Sequence, residues 1–172
     1  NPNLIEAISL LSITYVADGD VVAAEKLLVK GVQDNPDADS LRIALVNILT
    51  KKSEFKKAEK HLLEIVNRNP DNFKFRVNLA QFYAATKQDE KAENILRQLI
   101  QEDEEDIERY LLLVQLTAAT KGALETESLL KQFIKEKPDM YGFKLALADV
   151  YSKTAKINSA KKILLEVIDE QS

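Results

Sequence analysis

The sequence has no cysteine, four glycines, four prolines and a single histidine among its 172 residues. Without cysteine the chain has no disulfide, no thiolate metal ligand and no cysteine nucleophile, and the compartment stays open between cytoplasm and bacterial periplasm. So few glycines and prolines argue against an all-β chain full of tight turns and against a disordered linker. Apolar residues, at 45%, are enough to bury a core.

The scarcity of histidine and glycine also limits the chemistry. His61 has Glu64 one helical turn away, but a metal site needs three or four converging ligands. The isolated glycines do not form a phosphate-binding loop, and a serine triad would have few candidate bases. Carboxylate pairs such as Asp18 and Asp20 lie where a turn is expected, so capping explains them. We therefore expect no catalysis, no metal and no cofactor.

The charge pattern argues against two classes of partner. The net charge is −4, and lysines and glutamates are interleaved, so there is no basic footprint for nucleic acid. The longest uncharged runs, 7–17 and 110–120, are too short to cross a bilayer, and no signal peptide is visible. We expect no nucleic-acid binding and no membrane insertion by this segment. Because there is no initiator methionine, we also expect it to be part of a longer protein.

One short motif returns at a fixed interval. Asn-Pro occurs at positions 1–2, 35–36 and 69–70, and Pro138 follows at twice the same 34-residue interval. Glu104 stands where the missing proline would fall. A fixed period of this size predicts stacked structural repeats. We expect one array over 1–172, with repeats at 5–38, 39–72, 73–106, 107–140 and 141–172.

We number the places of each repeat from its first residue. The same places carry the same kinds of residue in all five repeats. Place seven is always leucine: Leu11, Leu45, Leu79, Leu113 and Leu147. Place twenty-four is also always leucine: Leu28, Leu62, Leu96, Leu130 and Leu164. Place twenty is small: Ala24, Ala58, Ala92, Thr126 and Ala160. The apolar spacing is helical on both sides of a mid-repeat break, which predicts two helices of about 13–15 residues per repeat.

The residues around each proline predict the helix ends. Proline should end the preceding helix. The next residue in each repeat should cap the following helix, and these residues are Asn3, Asp37, Asp71, Glu105 and Asp139. The acidic run 102–106 is assigned to the same capping and to solvation. A helix pair cannot bury its own apolar face, so the leucine and alanine columns should pack between neighbouring pairs.

The period, the small residue at place twenty, the aromatic at place eleven and the proline at place thirty-two resemble the tetratricopeptide repeat over the whole chain. The resemblance implies an all-α solenoid of five tandem helix-turn-helix repeats forming a right-handed superhelix. Place four departs from the family's frequent large aromatic and holds Ile8, Arg42, Arg76, Tyr110 and Lys144. This departure leaves the local helix angles open.

The resemblance also implies a binding surface. In this family the first helix of each pair lines a concave groove, and places such as five, six and nine face the ligand. Here those places give an apolar stripe beside a row of amides: Ile43, Asn47, Val77, Asn78, Gln81, Leu111, Gln115, Leu145 and Asp149. Amides donate and accept, which suits the backbone of an extended peptide. Val77 and Leu111 could equally be core.

The family's carboxylate clamp is absent, because Ile43, Glu108 and Leu112 stand where basic residues are needed. Two functions follow as hypotheses. The first is a scaffold that binds a partner protein or peptide in the groove. The second is a structural or assembly scaffold within a larger multi-repeat protein, such as one of the bacterial cell envelope. The last helix, 157–168, carries apolar residues with no polar cap after it, so it could pair with a second copy.

Overall fold

The computed structural model describes residues 2–170, and in that range the chain forms ten α-helices and no β-strand. The helices are α1 (Pro2–Ala17), α2 (Val21–Asp34), α3 (Asp39–Lys51), α4 (Phe55–Arg68), α5 (Phe73–Ala85), α6 (Asp89–Glu102), α7 (Ile107–Thr120), α8 (Ala123–Glu136), α9 (Gly142–Lys153) and α10 (Ile157–Glu170). The predicted all-helical chain is confirmed. We call the odd-numbered helices A helices and the even-numbered ones B helices.

The helices form two compact units, the first ending at Phe82 and the second beginning at Tyr83. In the first unit α1 packs on α2 and α3, and α3 also packs on α2 and α4. In the second unit α7 packs between α6 and α8, and α9 packs between α8 and α10. Within each unit, these helices therefore contact their neighbours in sequence, as in a stack of repeats.

The turn inside each repeat uses a left-handed residue. Gly19, Ser53, Lys87 and Ala155 have positive φ and lie at the same place of their repeats. In the fourth repeat the left-handed residue is Gly122, one position later, because α7 extends to Thr120. In all five turns an amide donates back to the place-eleven carbonyl at 2.8–3.1 Å, which satisfies a free end of the A helix.

The leucine and alanine columns form the core. Every place-twenty residue is almost fully buried, and so are the leucines of the second, third and fourth repeats. Leu11 and Leu164 differ, with exposures of 44% and 39%. The expectation that all the leucines fill space between rows is wrong at these two. The first and last helices of the described residues have a packed neighbour on one side only.

Ion pairs link consecutive repeats. Glu25 accepts from Lys52, Glu93 accepts from Lys121 at 2.7 Å, and Glu127 accepts from Lys156 at 2.7 Å. In each pair a carboxylate near the start of one B helix reaches the turn of the next repeat. We call this set the linking pairs.

These contacts lower the pKa of the carboxylates. Hydrogen bonds from the ammonium groups of Lys131 and Lys156 lower the pKa of Glu127 to about 2. The Lys121 ammonium is the main cause of the lowered pKa of Glu93. The lysine contacts therefore favour the ionised form of both carboxylates.

Helix ends agree with the proline prediction but not with the capping prediction. α2, α4 and α8 each end two residues before a proline. Asp37, however, ion-pairs with Arg68, and Ala38 precedes α3 with no side-chain cap. The α7 cap is Asp106, whose carboxylate accepts from the Glu108 amide at 2.9 Å.

The remaining predicted caps fail in a similar way. Asn3 lies inside α1, and α9 is preceded by Tyr141 without a side-chain cap, so Asp139 does not serve there. At the start of α5, Asn72 accepts from the Lys74 amide at 3.2 Å. The predicted caps lie in the loop because the helices start later than assumed, and α1 differs because it begins earlier.

Candidate functional site

The nine predicted binding residues all lie on A helices. Asn47, Gln81, Gln115, Leu145 and Asp149 are exposed. The others are less accessible: Ile43, Asn78 and Leu111 are half-buried, and Val77 is 9% exposed. We call these nine positions the A-helix face. Five are in the unit that ends at Phe82, and four are in the unit that begins at Tyr83.

The amides of this face are not used by the fold. The side chains of Asn47, Asn78, Gln81 and Gln115 make no hydrogen bond to another described residue. Other side-chain amides of the chain do, since Asn35 donates to the Gly31 carbonyl at 3.1 Å. In each unit, these amides therefore offer unused donors and acceptors that could pair with a peptide backbone.

Asp149 is the only charged member of the face. Its carboxylate accepts from the Lys153 ammonium at 2.7 Å, one helical turn further along α9. The pair lies at the surface, with both side chains more than half exposed. The face therefore presents amides and apolar groups rather than a strong charge of either sign.

A small apolar pocket adjoins this face in the first unit. Its volume is about 280 Å³, and its lining is Ser12, Ile13, Val16, Leu28, Ala44, Asn47, Ile48 and Lys51. Ile13 is 64% exposed at the rim, whereas Leu28 is fully buried. The pocket lies among α1, α2 and α3, and Asn47 places an unused amide on its wall.

Most lining residues of this pocket were not among the nine predicted. Ile13 shares place nine with Asn47, and Ala44 occupies place six, so the repeat register already pointed to them. Leu28 and Ile48 were not identifiable in this way, because they are core residues that line the pocket only through the packing of α1, α2 and α3.

His61 lies in a polar cluster with a buried arginine. Arg42 is 6% exposed, and its guanidinium donates to the Pro36 carbonyl at 2.8 Å and to the Glu64 carboxylate. The His61 Nδ1 atom is 3.3 Å from the same guanidinium. Burial is the main cause of the lowered pKa of His61, which favours its neutral form.

Two further properties bear on the chemistry. In residues 2–170 no group of three or more His, Asp or Glu side chains is arranged to hold a metal ion. Within the same range, no helix combines the length and apolarity needed to cross a membrane. The acidic run 102–106 is engaged, because Asp106 caps α7 and Lys137 ion-pairs with Glu105 at 2.8 Å.

The sequence matches a family model described as Tetratricopeptide repeat, over residues 15–72 and 64–116. Together these stretches span more than half of the chain. Among curated proteins, no sequence matches this chain significantly.

Solved structures with this fold are similar over nearly the whole chain. One is PilF of Pseudomonas aeruginosa, at 19% identity and a TM-score of 0.60, covering 94% of this chain and 74% of that one. Another is a putative kinesin light chain of Podosopora anserina with nearly identical TPR-like repeats. It has 20% identity and a TM-score of 0.58, and the match covers 99% of this chain and 96% of that one. A third is the thermophilic TPR protein TTC0263 of Thermus thermophilus. It has 18% identity and a TM-score of 0.56, and the match covers 96% of this chain and 90% of that one. At these identities the similarity shows the fold alone. It confirms the predicted helical solenoid, while the count of five repeats and the right-handed superhelix stay predictions.

Proposed function

Since the chain belongs to the tetratricopeptide repeat family, we propose that it is a non-catalytic module that binds an extended peptide segment of a partner protein on its A-helix face. Proteins of this family generally act as scaffolds that bind proteins or peptides. The fold therefore supports an interaction scaffold as the general class. The peptide ligand and the residues that contact it are the proposed part.

The unused amides carry this proposal. An extended peptide has one donor and one acceptor at each residue, and these need partners when the peptide leaves water. Asn47, Asn78 and Gln81 in the first unit, and Gln115 in the second, can each donate and accept. An exposed amide that the fold does not need is well suited to bind a backbone without fixing the ligand's sequence.

Sequence preference would then come from apolar anchors. The pocket beside Asn47, at about 280 Å³, is large enough for one aliphatic side chain. In the second unit Leu145 is 49% exposed and Leu111 is half-buried. We expect ligands with spaced apolar residues and, because the carboxylate clamp is absent, no requirement for a free C-terminal carboxylate.

A phage-displayed peptide library selected on the whole chain tests this function. The variant Asn47→Ala/Gln81→Ala/Gln115→Ala removes three amides from A helices, and we expect it to bind the selected peptides at least about tenfold more weakly. The matched control Gln33→Ala/Asn67→Ala/Gln98→Ala removes three exposed amides from B helices and should bind normally. Selected peptides that bind the first variant as tightly as the wild type would overturn the proposal.

A second candidate is a structural or assembly scaffold in which α10 packs against a second copy. Ile157, Leu164, Leu165 and Ile168 are all 39–59% exposed on this helix. Exposed apolar stripes of this kind mark interaction surfaces. Light scattering at increasing concentration would detect the association, and Leu165→Glu/Ile168→Glu should then abolish it. A monomer at every concentration would contradict this candidate.

A further inference from the structure

The residue at place four has different neighbours in the second repeat and in the fourth. In the second repeat this place is Arg42, whose buried guanidinium donates to the Pro36 carbonyl in the loop after α2 and to the Glu64 carboxylate on α4. In the second unit the same place is Tyr110, 68 residues later. The positions matching Pro36 and Glu64 are Glu104 and Gln132. The fourth repeat therefore has no arginine of its own at this place.

A cavity is present at Tyr110. Its volume is about 490 Å³, and it is lined by Arg97, Ile100, Gln101, Glu104, Tyr110, Gln132, Phe133, Glu136 and Lys137. These residues belong to α6, α7, α8 and the adjoining loops. We call it the Tyr110 pocket. None of its lining residues belongs to the A-helix face, so it is a separate surface.

The pocket floor carries an unused polar group. Tyr110 is 5% exposed, and its ring packs edge-on against Phe133 with centroids 5.0 Å apart. Its hydroxyl makes no hydrogen bond to another described residue. Burial raises the pKa of this phenol, which keeps it neutral and able to accept or donate.

The charges around the rim leave an unpaired carboxylate. Lys137 is paired with Glu105 at 2.8 Å, and Arg97 with Glu93 at 2.7 Å. Glu136 has no cationic partner among the described residues and accepts only the Gln132 amide, at 2.8 Å. A guanidinium entering the pocket would therefore meet a carboxylate with which no lysine or arginine of the described residues pairs.

We propose that the Tyr110 pocket binds an arginine side chain supplied by a partner protein. The guanidinium would donate to the Glu136 carboxylate and the Tyr110 hydroxyl, and its aliphatic stem would lie on Phe133 and Ile100. Arg42 likewise places a guanidinium against a carboxylate of the following B helix, α4. Arginine is favoured over lysine because its planar group donates to several acceptors at once and is more weakly hydrated.

Titration of the whole chain with N-acetyl-arginine N-methylamide tests the proposal. Backbone amide shifts followed by NMR should change at Gln101, Gln132 and Lys137, with saturation below about 50 mM. N-acetyl-citrulline N-methylamide has the same shape without the charge and should bind at least about tenfold more weakly. Equal shifts with both compounds, or no shift with either, would overturn the proposal.

Two variants locate the binding in the pocket. Glu136→Gln should weaken binding of the arginine compound about tenfold, whereas Glu125→Gln, elsewhere on α8, should leave it unchanged. Tyr110→Arg/Gln132→Glu recreates the Arg42–Glu64 pair in the second unit and should block the pocket with the chain's own guanidinium. If the double variant does not fold, Glu136→Gln decides. Wild-type affinity in Glu136→Gln would contradict the assignment.

Discussion

The second and fourth repeats place different side chains at the same position of the same fold. At Arg42 a buried guanidinium bonds to a carbonyl and a carboxylate. At Tyr110 an aromatic ring contacts Phe133 and Phe143, with centroids 5.0 and 5.3 Å away. The leucine and alanine columns are buried in both repeats. The columns therefore hold the helices together, and place four is free to vary. We call this side chain and the residues that it contacts the junction, which is polar at Arg42 and aromatic at Tyr110.

The two junctions should differ in what they contribute to stability. An aromatic cluster gains from apolar burial and from edge-to-face contacts worth about 0.5–1.5 kcal/mol a pair. A buried guanidinium loses hydration that its ion pair and hydrogen bonds only partly offset. We expect the junction at Tyr110 to stabilise the chain more than the junction at Arg42 does.

The largest effect should come from the aromatic junction. Phe143 is fully buried, so Phe143→Ala should lower the free energy of unfolding by about 3–5 kcal/mol through lost burial and a residual cavity. Urea denaturation measures this change. Leu145→Ala, two residues away at a side chain that is 49% exposed, is the matched control and should cost less than about 1 kcal/mol. Similar costs for the two variants would contradict the described packing.

The place-seven leucines of the second and fourth repeats should contribute equally to stability. Leu45→Ala and Leu113→Ala each remove a leucine that is 1% exposed, and each should cost about 2–5 kcal/mol. Leu11→Ala is at the same place in the first repeat, but its side chain is 44% exposed, so it should cost less than half as much. The denaturant midpoints of the three variants measure these costs. Equal shifts in all three would show that side-chain exposure does not determine how much a leucine of this column contributes to stability.

The place-four residues should show smaller effects. Arg42→Ala removes the hydrogen bonds to Pro36 and Glu64 and the packing of the stem, for about 1–2 kcal/mol, because the 41% exposed Glu64 side chain is hydrated again. Tyr110→Phe removes only a hydroxyl without a partner and should change stability by less than about 0.5 kcal/mol. A larger loss for Tyr110→Phe than for Arg42→Ala would reveal a role of the hydroxyl in the fold.

The comparison also shows how far the sequence could predict the fold. The 34-residue register located the helix pairs, the mid-repeat turns and the buried columns, because repeated packing imposes the same residue types at the same places. It did not predict the exposure of Leu11 and Leu164, since a column pattern does not say which repeats have neighbours. It missed the caps by one or two residues, because neighbouring acidic residues such as Glu105 and Asp106 look equally suitable before the backbone path is known.

For the site, the register located exposed amides but not cavities. Asn47 and Gln81 follow from place nine alone. The Tyr110 pocket does not, because its shape depends on how α6, α7 and α8 pack around Tyr110. The difference at place four was visible in the sequence as Arg42 and Tyr110, yet only the packed structure shows the pocket beside Tyr110.

The smallest effect concerns ion-paired surface carboxylates, since each unit has one whose pKa is lowered to about 2. Because the pKa of Glu127 in the folded chain is about 2, against an ordinary value of 4.5, its stabilising contribution is complete above pH 4.5 and is lost as the pH falls through 2. Glu54, whose pKa the Lys52 and Lys57 ammonium groups also lower to about 2, should behave alike in the first unit.

Unfolding free energies measured between pH 6 and pH 2 should therefore fall less steeply in Glu127→Gln and in Glu54→Gln than in the wild type, and Glu125→Gln should follow the wild type. Salt should reduce the difference, because these carboxylates lie near the surface, where ions screen the attraction. If only one of the two variants had a flatter dependence of unfolding free energy on pH, ion pairs would stabilise one unit and not the other. The two units would then differ in more than the side chains at place four.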